Sequence, residues 1–148
     1  AQVIVQVIKS ELVAVLSNPL LINLKPNQDI ELNAGNSYDE DQLGLVGINA
    51  GLSFHWSCQQ KKPSINSDAC PGVSYSRTGQ PSLIVSYVAE STTSIFTVEI
   101  TDAGKSRRVT KQVTLKTLGM NSPQVNIIGV NELLKFDIAE SVSFKSEP

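Results

Sequence analysis

The amino-acid sequence predicts an all-β fold, an antiparallel immunoglobulin-like or fibronectin-like β-sandwich in a tandem array. Apolar and polar residues alternate along several short runs, which is the two-residue period of strands. Val, Ile and Thr contribute 35 of the 148 residues, and their branched side chains suit a pleated sheet. Clusters of Gly, Pro, Asn and Asp separate the runs at roughly even spacing, as in small sandwich domains.

The alternating runs supply the predicted strands. They are Val3–Val7, Val13–Val15, Ile30–Leu32, Leu52–Trp56, Leu83–Tyr87, Ile95–Ile100 and Val109–Leu115. Alternate residues of a strand share a face, so one face of these runs forms the predicted core. Its members are Leu32, Phe54, Trp56, Phe96, Val98, Ile100 and Val113. The turn Thr101–Gly104 is expected to close a hairpin, and Glu132–Ala139 offers a weak helical pattern.

A weak internal repeat predicts the domain organisation. Residues 11–32 align with residues 123–144 without a gap, and their apolar positions coincide. Residues 3–8 resemble residues 113–118, so both copies follow a similar strand. We therefore expect residues 1–9 to be the closing strand of a preceding module, residues 10–121 a complete module, and residues 122–148 the opening strands of a following one. The short linkers would restrain neighbouring modules relative to one another.

Composition and motifs exclude several functions. The formal net charge is −2, which leaves no basic field for a nucleic acid partner. One His and two Cys are too few for a multi-histidine metal site, and the chain carries none of the short nucleotide-binding or hydrolase motifs. The mostly apolar stretch Leu12–Leu24 is interrupted by Ser17–Pro19, so a membrane connection is expected only through segments outside these 148 residues. An enzyme is not expected.

Three stretches resemble a known family of extracellular modules. Asp29–Asp41 resembles the second strand and acidic turn of polycystic-kidney-disease (PKD) repeats, and Leu52–Cys58 resembles the aromatic-x-Trp-Ser-Cys strand of REJ (receptor for egg jelly) modules. Ser94–Asp102, with the strand that follows, is similar to the closing hairpin of both. Ser57–Gln60 stands where common PKD repeats carry an acidic-aromatic-Gly-Asp-Gly stretch, which favours the REJ-type variant. The resemblance implies an ectodomain of a polycystin-like protein, often on a cilium, flagellum or gamete surface.

The two cysteines allow three interpretations. Eleven residues separate Cys58 from Cys70, and they are polar and turn-forming, which predicts a loop whose ends can meet. A disulfide across it would add roughly 3 kcal/mol of stability and indicate an oxidising, extracellular compartment. Two reduced core cysteines, or a metal-binding pair, are the alternatives. We favour the disulfide, which also agrees with the second thiol that the resemblance implies.

Few polar residues are candidates for a site. The cluster Asp39–Asp41 is expected to be a solvated turn, with Asp39 and Asp41 as weak calcium candidates and no other cofactor expected. His55 falls on the strand face opposite Trp56 and is expected to face solvent. The basic pairs Lys61–Lys62 and Arg107–Arg108 are expected to be solvated as well.

The predicted role is that of a structural or adhesive module of a large extracellular or cell-surface protein. Its expected partners are neighbouring modules of the same chain and other extracellular proteins or glycans. An accessory carbohydrate-binding module is the alternative, but Tyr38, Tyr75 and Tyr87, outside the predicted core, do not line one strand. A cytosolic filament repeat of the filamin type is a third hypothesis, which predicts free thiols.

Overall fold

The computed structural model describes residues 2–4, 6, 8–26, 28–64 and 69–119. Within them lie nine strands and one short 3-10 helix, Gly47–Ala50. The strands are β1 (Leu12–Val13), β2 (Leu21–Leu24), β3 (Ile30–Asn33), β4 (Tyr38–Asp39), β5 (Ser53–Lys62), β6 (Val73–Ser76), β7 (Ser82–Val88), β8 (Thr93–Thr101) and β9 (Arg108–Thr117). The all-β prediction is confirmed.

The strands form two main sheets and one small ribbon. One sheet has the order β2-β9-β8-β5 and the other the order β3-β7-β6, while β1 pairs with β4. All pairs are antiparallel except β2 with β9, which runs parallel. A single buried cluster draws on both main sheets, so the architecture is that of a β-sandwich.

The centre of the core is built by strict alternation along β5 and β8. Trp56 lies opposite Val98 and Phe54 opposite Ile100, and all four side chains are buried. Trp56 also donates its indole Nε1–H to the carbonyl of Gln80 at 3.0 Å, so its polar atom is satisfied inside the core. Each of the seven residues predicted for the core is buried.

Strand β5 is longer than the sequence predicts. The stretch after Cys58 was expected to be loop because it is polar, yet Gln59–Lys62 continues the strand and pairs with Thr93–Ile95 of β8. The side-chain amide of Gln60 is hydrogen-bonded within this extension. Its Nε2 donates to the carbonyl of Pro63 at 3.1 Å, and its Oε1 accepts the backbone amide of Gly72 at 3.3 Å. A polar residue can therefore be buried here at a low cost.

The predicted array assigns both ends of the chain to neighbouring modules. No strand is assigned to the described residues before Leu12. The second copy of the internal repeat and the helical pattern at Glu132–Ala139 lie outside the described residues. In the part of the chain that the structure covers, no helix is long and apolar enough to cross a bilayer.

Candidate interaction site

A disulfide joins β5 to the segment that precedes β6. Cys58 lies on β5 and Cys70 lies shortly before β6, and their Cα atoms are 5.8 Å apart. Both are buried, and neither is free. The predicted disulfide is therefore present, and reduced cysteines or a metal pair are excluded for this structure.

A cluster of charged side chains lies where β1, β4 and the β8–β9 hairpin meet. Arg107 binds Asp39 with both ends of its guanidinium group, at 2.9 Å from Nη1 to Oδ1 and 2.6 Å from Nη2 to Oδ2. The Asp39 side chain is only 3% exposed and that of Arg107 20%. The expectation of a solvated turn and a solvated basic pair is therefore wrong for these two residues. The β1–β4 ladder and the hairpin bring them together across 68 positions of sequence.

Asp102 shapes the hairpin that carries Arg107. Its carboxylate accepts the Ser106 amide at 2.7 Å, the Ser106 hydroxyl at 2.8 Å and the Arg107 amide at 3.1 Å. Nε of Arg107 adds a contact of 3.3 Å. Asp102 thus closes the turn and fixes the direction of the arginine side chain.

The same cluster holds the backbone of Ser10 from both sides. The Ser10 amide donates to both carboxylate oxygens of Asp41 at 3.2 Å, and its carbonyl accepts Nη1 of Arg107 at 2.7 Å. Nη1 of Arg107 also lies 3.1 Å from Asp41 Oδ2. We call the contacts among Ser10, Asp41 and Arg107 the Ser10 latch. It fixes the direction from which the chain enters the sandwich.

Hydrogen bonds in this cluster shift three pKa values. The guanidinium of Arg107 holds the pKa of Asp39 below its ordinary value of 3.8, against the opposing effect of burial. The amide of Arg107 and the hydroxyl of Ser106 lower the pKa of Asp102 further. The pKa of Arg107 is raised, chiefly by Asp39. All three groups are therefore ionised near neutral pH.

The structure places both calcium candidates in this cluster. Asp39 and Asp41 bind Arg107, so a calcium ion would have to compete with a guanidinium group for the same oxygens. Among the described residues, no group of three or more His, Cys, Asp or Glu side chains is arranged to hold a metal ion. Calcium binding at Asp39 and Asp41 stays a prediction.

An exposed apolar loop follows the cluster directly. In Gln42–Ile48, which we call the apolar loop and which runs into the start of the 3-10 helix Gly47–Ala50, Leu43 is 94% exposed and Ile48 66%, and Leu45 and Val46 are exposed as well. The base of the loop is fixed, because the amide of Gly47 donates to the carbonyl of Ser37 at 2.7 Å. Sequence reasoning missed this loop, although the run Leu43–Ile48 is apolar apart from its glycines.

The remaining candidates do not form a second site. His55 is exposed on the outer face of β5, opposite Glu99 of β8. Tyr75 was placed outside the core, yet it is half-buried and its ring meets Phe96 edge-on at a centroid distance of 5.4 Å. The Tyr75 ring therefore packs against the core. The Tyr87 side chain lies outside the described part of the structure.

Comparison with known families decides what kind of module this is. The family model of the REJ domain matches residues 1–134. The chain belongs to the REJ domain family. REJ membership and the intramolecular disulfide indicate an extracellular, polycystin-like module, from a family of structural modules that is not known as catalytic. No curated protein sequence matches the chain.

Several solved structures are similar to part of the chain. One is a nucleoside hydrolase-related hypothetical protein from Saccharophagus degradans, associated with carbohydrate metabolism, with 18% identity and a TM-score of 0.57. That match covers 74% of the REJ chain and 26% of the other protein. The outer capsid protein Hoc of bacteriophage RB49 shows 13% identity and a TM-score of 0.49, over 72% of this chain and 30% of that one. The titin domains z1z2 in complex with telethonin show 14% identity and a TM-score of 0.39. This match covers 73% of the REJ chain and 49% of the titin chain. At these identities the first likeness concerns the fold alone.

Proposed function

We propose that this REJ chain is a non-catalytic structural or adhesive module in the extracellular region of a polycystin-like cell-surface protein, on a ciliary or flagellar membrane. In this proposal it is one unit of a tandem array, with residues 10–121 as the complete sandwich. The observation that carries the proposal is the REJ match over residues 1–134 on a disulfide-bonded sandwich.

The described residues are arranged as a scaffold. The disulfide ties β5 to the segment before β6, and the Ser10 latch ties the entering chain to the β8–β9 hairpin. Both devices resist separation of the strands, as a spacer or adhesive unit under load requires. The carboxylates of Asp39, Asp41 and Asp102 are all held in internal ion pairs with Arg107, so this cluster supports the fold.

The extracellular assignment is tested by labelling intact cells that express the full-length parent protein. A membrane-impermeant amine reagent should modify the exposed Lys61, Lys105 and Lys111 before permeabilisation, while a cytosolic control protein stays unlabelled. Non-reducing peptide mapping of the same sample should recover Cys58 joined to Cys70. Labelling only after permeabilisation, together with free thiols, would contradict the proposal.

The adhesive part of the proposal needs a second measurement. Beads coated with the disulfide-bonded chain should bind cells that display the parent protein more strongly than beads coated with the reduced and alkylated chain. Equal binding by both would argue for a spacer role. Enrichment of the labelled parent protein in isolated cilia or flagella, relative to the cell body, tests the ciliary location.

A further inference from the structure

We propose that the polar groove between the end of β3 and the β6–β7 turn is a binding site for a sugar acid, the hexuronate or sialic acid of an extracellular glycan. Arg77 binds the carboxylate of the sugar, and its uncharged neighbours bind the hydroxyl groups. The inference deepens the adhesive part of the proposed function, on which it rests for the extracellular location, by naming a site and a ligand class.

The first step is the composition of the groove. It lies between residues 33–35, at the end of β3, and residues 77–82, which contain the turn from β6 to β7. Its volume of about 540 Å³ falls within the range of small-ligand sites, about 300–1,000 Å³. The residues that line it are Asn33, Gly35, Arg77, Gln80, Pro81 and Ser82. Among these described residues Arg77 alone is charged, so the groove presents one positive charge.

The second step is the free hydrogen-bonding capacity of the groove. Within the described part of the chain, no hydrogen bond or ion pair engages the guanidinium of Arg77, the side-chain amide of Gln80 or the hydroxyl of Ser82. Asn33 uses Oδ1 to accept the Gly35 amide at 2.7 Å, which leaves its Nδ2 as a donor. The partners of these groups therefore come from solvent or from a ligand.

The third step is the rigidity of the β6–β7 turn. Trp56, at the centre of the core, binds this turn twice. Its backbone amide donates to the carbonyl of Thr78 at 2.8 Å, and its indole Nε1–H donates to the carbonyl of Gln80 at 3.0 Å. The amide of Ala34 donates to the carbonyl of Pro81 at 2.9 Å, which joins the two sides of the groove. A groove anchored to the core in this way needs little rearrangement to bind, and this lowers the cost of association.

The fourth step is the backbone of Arg77. Its φ is +64°, in the left-handed region that residues other than glycine rarely adopt. Its side chain is exposed, so packing of the core does not require an arginine at this position. An Asn would fit this backbone better than an arginine does. A residue held in a costly conformation at the mouth of a groove points to a use for its side chain.

The fifth step is the kind of ligand. A guanidinium group pairs with a carboxylate through two parallel hydrogen bonds. Asn33, Gln80 and Ser82 are neutral and combine donors with acceptors, as sugar hydroxyl groups do. Pro81 is the one apolar side chain among the lining residues, so an aromatic or aliphatic anchor of a peptide has little to pack against. The formal net charge of −2 gives a long polyanion no general attraction to the chain.

The test titrates the 148-residue chain with methyl β-glucuronide, with a methyl sialoside and with methyl β-glucoside, and follows the backbone amides by NMR. The glucoside is the matched control for the glucuronide, because it lacks only the carboxylate. At least one acidic glycoside should bind at least about tenfold more tightly than the glucoside. The shifted amides should be those of Gly35 and residues 80–82, and binding should weaken as salt is raised.

Three variants test the role of the arginine. Arg77→Asn should weaken binding at least about tenfold, because Asn accepts the left-handed backbone but supplies no cation. Arg77→Lys keeps the charge without the planar fork, so its affinity should lie between those of the natural chain and Arg77→Asn. Arg108→Gln removes an exposed arginine outside the groove and should bind as the natural chain does. Equal urea midpoints should confirm that all three variants fold.

Several outcomes would overturn the proposal. Equal affinity for all three glycosides would do so, as would unchanged binding by Arg77→Asn. Acetate that binds as tightly as the acidic glycosides would show a carboxylate contact without sugar recognition. Tighter binding of galactose 6-sulfate or of a glutamate-rich peptide would replace the sugar acid with another ligand. If these titrations fail while the parent protein is labelled on intact cells and keeps the Cys58–Cys70 disulfide, the proposed function stands and only this inference falls.

Discussion

Arg107 and Asp39 form a two-pronged ion pair that joins the hairpin between β8 and β9 to the β1–β4 ribbon. The two N–O distances are 2.9 and 2.6 Å, and the carboxylate is almost fully shielded from solvent. The same guanidinium binds the carbonyl of Ser10. One side chain therefore links the segment that enters β1, the turn after β4 and the hairpin between β8 and β9.

Replacement of Arg107 should loosen all three elements together. Arg107→Lys keeps the charge but removes the planar fork, so both Arg107→Lys and Arg107→Gln should lower the free energy of unfolding. The neighbouring Arg108→Gln is the control, because Arg108 is 72% exposed and lies 3.7 Å from Glu99. Urea unfolding measures stability, and hydrogen exchange at Glu11 and Leu12 reports the latch. An Arg107→Lys variant with unchanged stability and exchange would show that the paired geometry does not matter.

The aspartates of the cluster should make the fold sensitive to acid. Their pKa values are lowered in the folded state, so the unfolded chain binds protons first as the pH falls through 3.8. The stabilisation is therefore fully present well above pH 3.8 and is lost progressively below it. Asp39→Asn and Asp102→Asn should each flatten the fall of unfolding free energy between about pH 5 and pH 2, whereas the exposed Asp29→Asn should leave it steep. Parallel acid profiles for all four proteins would refute the assignment.

Trp56 should carry a large share of the packing energy of the core. Its side chain is buried between strands and its indole nitrogen is satisfied by Gln80. Trp56→Ala should cost about 3–5 kcal/mol, the range for truncation of a buried aromatic residue. Ser57→Ala, one position along on the exposed face, should stay within about 0.5 kcal/mol of the natural protein. A cost below about 1 kcal/mol for Trp56→Ala in urea melts would remove Trp56 from the core.

Two glycines of the apolar loop form a matched pair for backbone strain. Gly44 and Gly47 both have positive φ, +78° and +58°. A Cβ on Gly44 meets nothing within 4 Å, whereas one on Gly47 would lie 2.7 Å from the carbonyl oxygen of Gly35. Gly44→Ala should therefore cost about 1–2 kcal/mol for the left-handed backbone alone, and Gly47→Ala distinctly more. Equal losses in thermal unfolding would show that the loop moves away from Gly35 without cost.

The central strands could be predicted from sequence because their pattern is local. Alternation along β5 and β8 places Phe54, Trp56 and Phe96 in the core without knowledge of their partners. Strand β2 was missed because Leu21–Leu24 does not alternate, and its pairing with β9 is parallel and remote in sequence. The extension of β5 was missed because Gln60 is polar and its hydrogen bonds depend on Pro63 and Gly72.

The charged cluster could not be predicted because its members come from separate parts of the chain. The acidic turn and the basic pair each look solvated in isolation. Only the topology places Arg107 beside Asp39 and Asp41, and only then does the Ser10 latch exist. Ion pairs of high sequence separation follow from the fold, so a sequence pattern cannot reveal them in advance.

The module account is tested most directly by trimming the chain to residues 9–121, which keeps the amide of Ser10. If residues 10–121 are the complete sandwich, the unfolding free energy should stay within about 1 kcal/mol of the 148-residue chain. Self-association, measured by sedimentation, should fall, because unpaired apolar segments recruit partners. If trimming instead unfolds the sandwich, the end segments belong to this domain, and the account of one module within an array is wrong.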